Sequence, residues 1–195
     1  MRQSSTFNLP NILTYGRLVA VPLVFGLLFW YGQGEQRWWA FGVFALAGIT
    51  DYFDGYFARA YSQQSALGRM LDPIADKLLI AACLLILVAD GTIAGLAIWA
   101  AVIILCREIL VSGLREFLAE LKVSVPVSKV AKWKTTAQIL AVGFLIAGDA
   151  GETILPGTKL IGTVLLWVSA LLTLFTGWDY FKAGIVHVID QEGKN

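Results

Sequence analysis

Six apolar stretches, each long enough to cross a bilayer, constrain this chain more than any other feature. A spanning helix needs about 20 mostly apolar residues, and such runs fall at roughly 12–31, 37–60, 68–89, 93–120, 130–148 and 158–186. Turn residues separate them: Gly32-Gln33-Gly34, Ser62-Gln63-Gln64-Ser65, Asp90-Gly91, Val125-Pro126, and the segment from Gly148 to Gly157 with Pro156. None of these connections can hold a second domain, so residues 1–195 read as one. With 57% hydrophobic residues, a mean hydropathy of +0.70 and seven tryptophans, the chain is no ordinary soluble domain. The expectation is an all-α integral membrane protein, a bundle of six transmembrane helices. No secretory cleavage pattern follows the first run, which is expected to remain in the mature chain. Cys83 and Cys106 lie in apolar runs and read as small buried thiols, not a disulfide.

Charge placement orients the bundle. Lys and Arg are retained on the cytoplasmic side of short loops. With six spans and an inside N-terminus, only Arg37 and Lys159 of the fifteen basic residues fall outside, and the other thirteen lie at or near inner ends. Both termini are therefore expected in the cytoplasm, together with a polar cavity opening to that side.

That side carries an unusual cluster. Asp51, Asp54, Asp72 and Asp76 lie near the inner ends of spans two and three, with Gly55, Ala58, Arg59 and Gly68 among them. Residues three and four apart are neighbours on a helix, so Asp51 with Asp54 or Gly55 shares one face with Ala58. Gly68, Asp72 and Asp76 stack in the same way on the next helix. Four carboxylates in one small volume repel unless cations sit among them, and all-oxygen ligands favour Mg²⁺ or Mn²⁺. Asp72-Pro73 alone could be a helix cap followed by a first-turn proline. A cap does not account for Asp51, Asp54 and Asp76, whose placement near a bilayer costs up to about 2.5–3.5 kcal/mol each at its centre.

The pattern D-G-x-x-A-R-x8-G-x3-D-x3-D, met here by Asp54-Gly55, Ala58-Arg59, Gly68, Asp72 and Asp76 and preceded by Asp51, resembles that of the CDP-alcohol phosphatidyltransferases at every fixed position. The resemblance extends along the whole chain. It implies two divalent cations, Mg²⁺ or Mn²⁺, held by Asp51, Asp54, Asp72 and Asp76, with Asp76 also the catalytic base. It further implies CDP-diacylglycerol as donor, contacted by Gly55, Arg59 and Gly68, in a homodimer of the bacterial inner membrane with no nucleic-acid partner. The opening N-x-L-T-x-x-R, with Thr14 and Arg17, is a helix cap and a snorkelling arginine on local chemistry alone. The resemblance instead brings Thr14 and Arg17 to the nucleotide.

Span four ends Arg107-Glu108-Ile-Leu-Val-Ser112-Gly-Leu-Arg115-Glu116, and the next helix opens Lys129-Val-Ala-Lys132-Trp133-Lys134. Eight residues separate Arg107 from Arg115, about 80° around a helix, so both can look into one cavity. Lys132 and Lys134 sit about 200° apart and cannot, so one of them is expected at lipid head groups. Cytoplasmic retention of positive charge would explain most of these residues, but Arg107 lies inside the apolar run. Both segments resemble those of family members that use glycerol 3-phosphate, which implies that Arg107, Arg115, Lys132 and Lys134 hold the acceptor's phosphate. No activated Ser, Cys or His stands near the aspartates, so transfer is expected to be direct. The alternatives are another acceptor (inositol phosphate, serine or a phospholipid) or, in another class, a divalent-cation transporter. A cation path gains nothing from Arg59, Arg107 and Arg115, and no inverted repeat is visible.

Overall fold

The computed structural model describes residues 9–32, 34–61, 66–121 and 129–192, with side chains left aside at 9–11, 51–67, 69, 129, 131–132, 179 and 183–192. Among the described residues there are six α-helices and no strand: α1 (Leu9–Tyr31), α2 (Arg37–Tyr61), α3 (Ala66–Ala89), α4 (Ala97–Glu120), α5 (Lys129–Ile154) and α6 (Thr158–Glu192), with a 3₁₀ turn at Gly34–Gln36 before α2. They occupy the six apolar stretches. Four segments are long and apolar enough to cross a membrane, Ile12–Tyr31, Ala97–Glu120, Trp133–Ile154 and Thr158–Lys182. α2 and α3 match them in length, at 25 and 24 residues, but carry the aspartates.

The chain forms two compact units, Met1–Ile93 with Val142–Gly162, and Ala94–Ala141 with Thr163–Asn195. In the first, α1 packs against α2 and α3. Its buried face runs Thr14, Arg17, Ala20, Val24, Leu28 at helical spacing. Ala40, Phe44 and Ala47 are buried on α2, and Ala75, Leu79, Cys83 and Leu87 on α3. Outward, Val19, Phe29, Trp30, Trp39 and Leu85 are exposed, as a lipid-facing surface requires where water would not tolerate it. Both cysteines are free; Cys83 is buried as expected, but Cys106 is exposed on the apolar surface of α4.

α5 does not stop at residue 148, where its apolar run ends. It breaks at Gly148 (φ 47°, ψ −124°) and continues to Ile154. Such a break takes the carbonyls one turn earlier out of register with their helical donors, and Arg37 satisfies them. Its Nε donates to Ile146 O at 2.8 Å and its Nη2 to Leu145 O at 3.0 Å. The remaining donors go to Thr92 Oγ1 (3.1 Å), Gly32 O (2.9 Å) and Asp90 Oδ2 (3.1 Å). All five guanidinium N–H groups are thus used. A Cβ at Gly148 would lie 2.8 Å from Arg37 Nε, so glycine is required there by space as well as by φ. Glu152 then accepts from the backbone N–H groups of Gly157 (2.7 Å) and Lys159 (2.8 Å), closing the first turn of α6.

In the second unit, the buried residues of α4 are Ala100, Ala101, Ile104, Val111 and Leu118. On α6, Leu166, Ser169, Ala170, Thr173 and Thr176 are buried, one stripe at spacings of three and four.

Candidate functional site

The α1–α3 contact brings four of the expected residues together. Thr14 and Arg17 lie one turn apart on the buried face of α1, at 3% and 1% exposure. Asp72 and Asp76 are one turn apart on α3. Arg17 pairs with both, Nη2 with Asp72 Oδ1 and Nη1 with Asp76 Oδ1. Thr14 Oγ1 donates to Asp72 Oδ1 at 3.5 Å. Asp72 is the seventh residue of α3 and Pro73 lies inside the helix, so the local reading of this pair as a helix cap fails. Arginine is buried and carboxylates are open, with side-chain exposures of 1%, 35% and 51% for Arg17, Asp72 and Asp76.

Two carboxylates whose oxygens converge on one guanidinium form a donor set that suits a hard cation: oxygen only, negatively charged and partly open to solvent. Asp51, Asp54, Gly55 and Arg59 belong to the second half of α2, but their side chains lie outside the described residues. Gly68 is buried in the first turn of α3.

The second unit holds the basic residues. Arg107 donates from Nε to Thr173 O (3.1 Å) and from Nη2 to Thr176 Oγ1 (3.0 Å), while its Nη1 lies 3.6 Å from Glu108 Oε1. Gly177 permits this approach, since a Cβ there would meet Arg107 Cγ at 3.3 Å. Lys134, 5% exposed, pairs with the same Glu108 oxygen. Arg115, two turns after Arg107, stands over the ring of Tyr180 at 5.5 Å. The side chain of Lys132 lies outside the described residues.

Two participants escaped the sequence reading. Glu108 is the anion that joins Arg107 to Lys134, and the buried ring of Tyr180 faces the Arg115 guanidinium. Thr173, Thr176, Gly177 and Tyr180 fall on one helix face by spacing, and that stripe was the available signal.

A cleft of about 640 Å³ also opens beside Arg37, between Trp30, Tyr31, Asp90, Thr92, Asp149 and Lys159. Because the donors of Arg37 are already used, it has none to offer an anion there.

The sequence model of a family described as CDP-alcohol phosphatidyltransferase matches residues 7–175. A protein of Rickettsia bellii is 46% identical over 176 residues, covering 90% of this chain and 94% of its own. One from Pseudomonas fluorescens is 39% identical over 184 residues (93% and 92%). One from Cereibacter sphaeroides is 36% identical over 219 residues (95% and 99%). Each of the three is named a CDP-diacylglycerol–glycerol-3-phosphate 3-phosphatidyltransferase.

Proposed function

The chain belongs to the CDP-alcohol phosphatidyltransferases, and from that premise we propose that it transfers the phosphatidyl group of CDP-diacylglycerol to glycerol 3-phosphate, giving phosphatidylglycerophosphate and CMP. The observation that carries this is near end-to-end similarity, at 36–46% identity, to relatives named for that reaction. Family membership also removes the cation-transporter alternative. The apolar helices fit an integral membrane protein.

In the proposed mechanism the acceptor hydroxyl attacks the phosphorus of the phosphatidyl group, its O–P bond forms as the bond to CMP breaks, and Asp76 takes the hydroxyl proton. The family depends on divalent metal. Bound by Asp51, Asp54, Asp72 and Asp76, two ions (Mg²⁺ or Mn²⁺) would neutralise the diphosphate and the departing CMP. The convergence of Asp72 and Asp76 on a positive group supports that assignment. Thr14, Arg17, Gly55, Arg59 and Gly68 are assigned to the CDP moiety. Arg107, Arg115, Lys132 and Lys134 are assigned to the acceptor phosphate, where guanidinium groups form charge-assisted, bidentate bonds. The burial of Lys134 and the part-burial of Arg107 in apolar segments support a role beyond topology. One domain of six spans, its cavity and both termini cytoplasmic, working as a homodimer in the bacterial inner membrane, completes the proposal.

The test is CMP release by purified protein given CDP-diacylglycerol and a panel of alcohols. Glycerol 3-phosphate should be the best acceptor, and unphosphorylated glycerol should be poor. Faster reaction with serine, inositol phosphate or a phospholipid would leave the family but overturn the acceptor.

A further inference from the structure

On the helices that carry the Arg107–Glu108–Lys134 cluster and its partners, three buried polar atoms have no hydrogen-bond partner among the described residues: Gln138 Oε1 on α5, and Ser169 Oγ and Thr173 Oγ1 on α6. The two hydroxyls have a local remedy, donation to the carbonyl one turn back, as Thr176 Oγ1 does toward Leu172 O at 2.9 Å. Gln138, 5% exposed, has none. Its amide carries an acceptor and two donors, and leaving such a group unpaired inside an apolar segment is costly. A leucine of similar size would occupy the position without that cost, so the glutamine calls for a polar partner.

We propose that Gln138 reads the acceptor hydroxyl that does not attack, an assignment that rests on the function and the phosphate site given above. Gln138 follows Lys134 by one turn on the buried side of α5. Lys134 pairs with Glu108, which also faces Arg107, so the residues assigned to the phosphate lie at one turn of α5 and Gln138 at the next. Four residues advance a helix about 6 Å, a gap that the carbon chain of glycerol 3-phosphate bridges between its phosphate and its hydroxyls. Attack consumes the primary hydroxyl. The secondary hydroxyl keeps its proton and donates it to Gln138 Oε1, which pairs both groups at once. A site built to bond a hydroxyl rejects the analogue lacking it, because its own polar group is then left unpaired. Gln138 thus determines which alcohol is accepted and takes no part in the transfer step.

The test compares kcat/KM for glycerol 3-phosphate with that for 3-hydroxypropyl phosphate, which keeps the attacking hydroxyl and the phosphate but lacks the secondary hydroxyl, with CMP release as the readout. Wild type should prefer glycerol 3-phosphate by about 5- to 150-fold, the range for one buried polar group left unpaired. Gln138→Leu should lose most of that preference through a lower kcat/KM for glycerol 3-phosphate, with KM for CDP-diacylglycerol unchanged. Thermal unfolding in detergent reports whether Gln138→Leu is folded. If it is not, Gln138→Met, unbranched like glutamine, carries the same expectation. A preference kept by the folded variant, as a bound water or a packing role at Gln138 would leave it, overturns the proposal, and so does a wild type that uses both acceptors equally. No CMP release by wild type with glycerol 3-phosphate overturns the function itself, and the role of Gln138 with it.

Discussion

Arg17 and Arg37 are both almost completely buried, at 1% and 3% exposure, yet they hold opposite kinds of partner. Arg37 spends three of its five donors on main-chain carbonyls and one each on Asp90 and Thr92. It ties the end of α1, the start of α2, the segment after α3 and the break in α5 into one knot. Arg17 meets two carboxylates that remain partly open, which is a poor arrangement for stability alone. On the proposed reading, the difference separates a structural arginine, most of whose acceptors are backbone groups, from one placed at the catalytic carboxylates.

The largest effects should come from the open end. Asp72→Asn and Asp76→Asn should each lower CMP release by about 10²–10⁴-fold, the usual scale for losing a positioned acid–base group or comparable site residue, with little change in the unfolding temperature of detergent-purified protein. Full activity in either variant would break the distinction. Asp76→Asn sharpens it further. If Asp76 acts mainly as the base, Mn²⁺ binding stays nearly unchanged while turnover falls, whereas loss of Mn²⁺ binding in step with turnover would make it chiefly a metal ligand.

At the closed end the balance should reverse. Arg37→Met leaves Asp90 and two carbonyls at the α5 break without their partner. The expected cost is about 3–5 kcal/mol of stability, the figure for breaking a buried pair from one side, read as a lowered denaturation midpoint. Turnover per folded molecule should stay near wild type. An unchanged midpoint with lost turnover would show that Arg37 belongs to the chemistry.

Arg107 and Arg115 should fall below both. Truncating either to alanine removes a charge-assisted contact worth about 1.5–3 kcal/mol, which raises KM for glycerol 3-phosphate roughly 10- to 150-fold with little change for CDP-diacylglycerol. Smallest is Tyr180→Leu. Its ring holds Arg115 by a cation–π contact worth about 0.5–1 kcal/mol at such a site, so a rise in the same KM of roughly two- to fivefold is expected. A larger effect on the donor lipid would move Tyr180 to the other substrate.

This division was only half legible in the sequence. The helices could be placed because apolar runs and turn residues are local signals, and Asp72 with Asp76 could be set on one face because four residues make a turn. Arg37 stood out only as one of two basic residues on the outer side. Its reason lies more than a hundred positions away, at Leu145 and Ile146, and depends on a break at Gly148 within an otherwise helical run. The partners of Arg17, 55 and 59 residues on, and of Lys134, 26 residues back, are likewise set by helix packing. Local chemistry offered only snorkelling for Arg17. The family pattern assigned it to the nucleotide, but neither source foresaw its pairing with the aspartates.

The most direct measurement is incorporation of labelled glycerol 3-phosphate into lipid by purified wild type, Asp72→Asn and Arg37→Met in parallel, with CDP-diacylglycerol and Mg²⁺ present or replaced by chelator. Wild type should incorporate label only with donor and metal together, folded Asp72→Asn should not, and the folded fraction of Arg37→Met should match wild type. Incorporation in excess chelator, or by Asp72→Asn at the wild-type rate, would contradict the assignment of the Arg17 end as the metal-dependent catalytic centre.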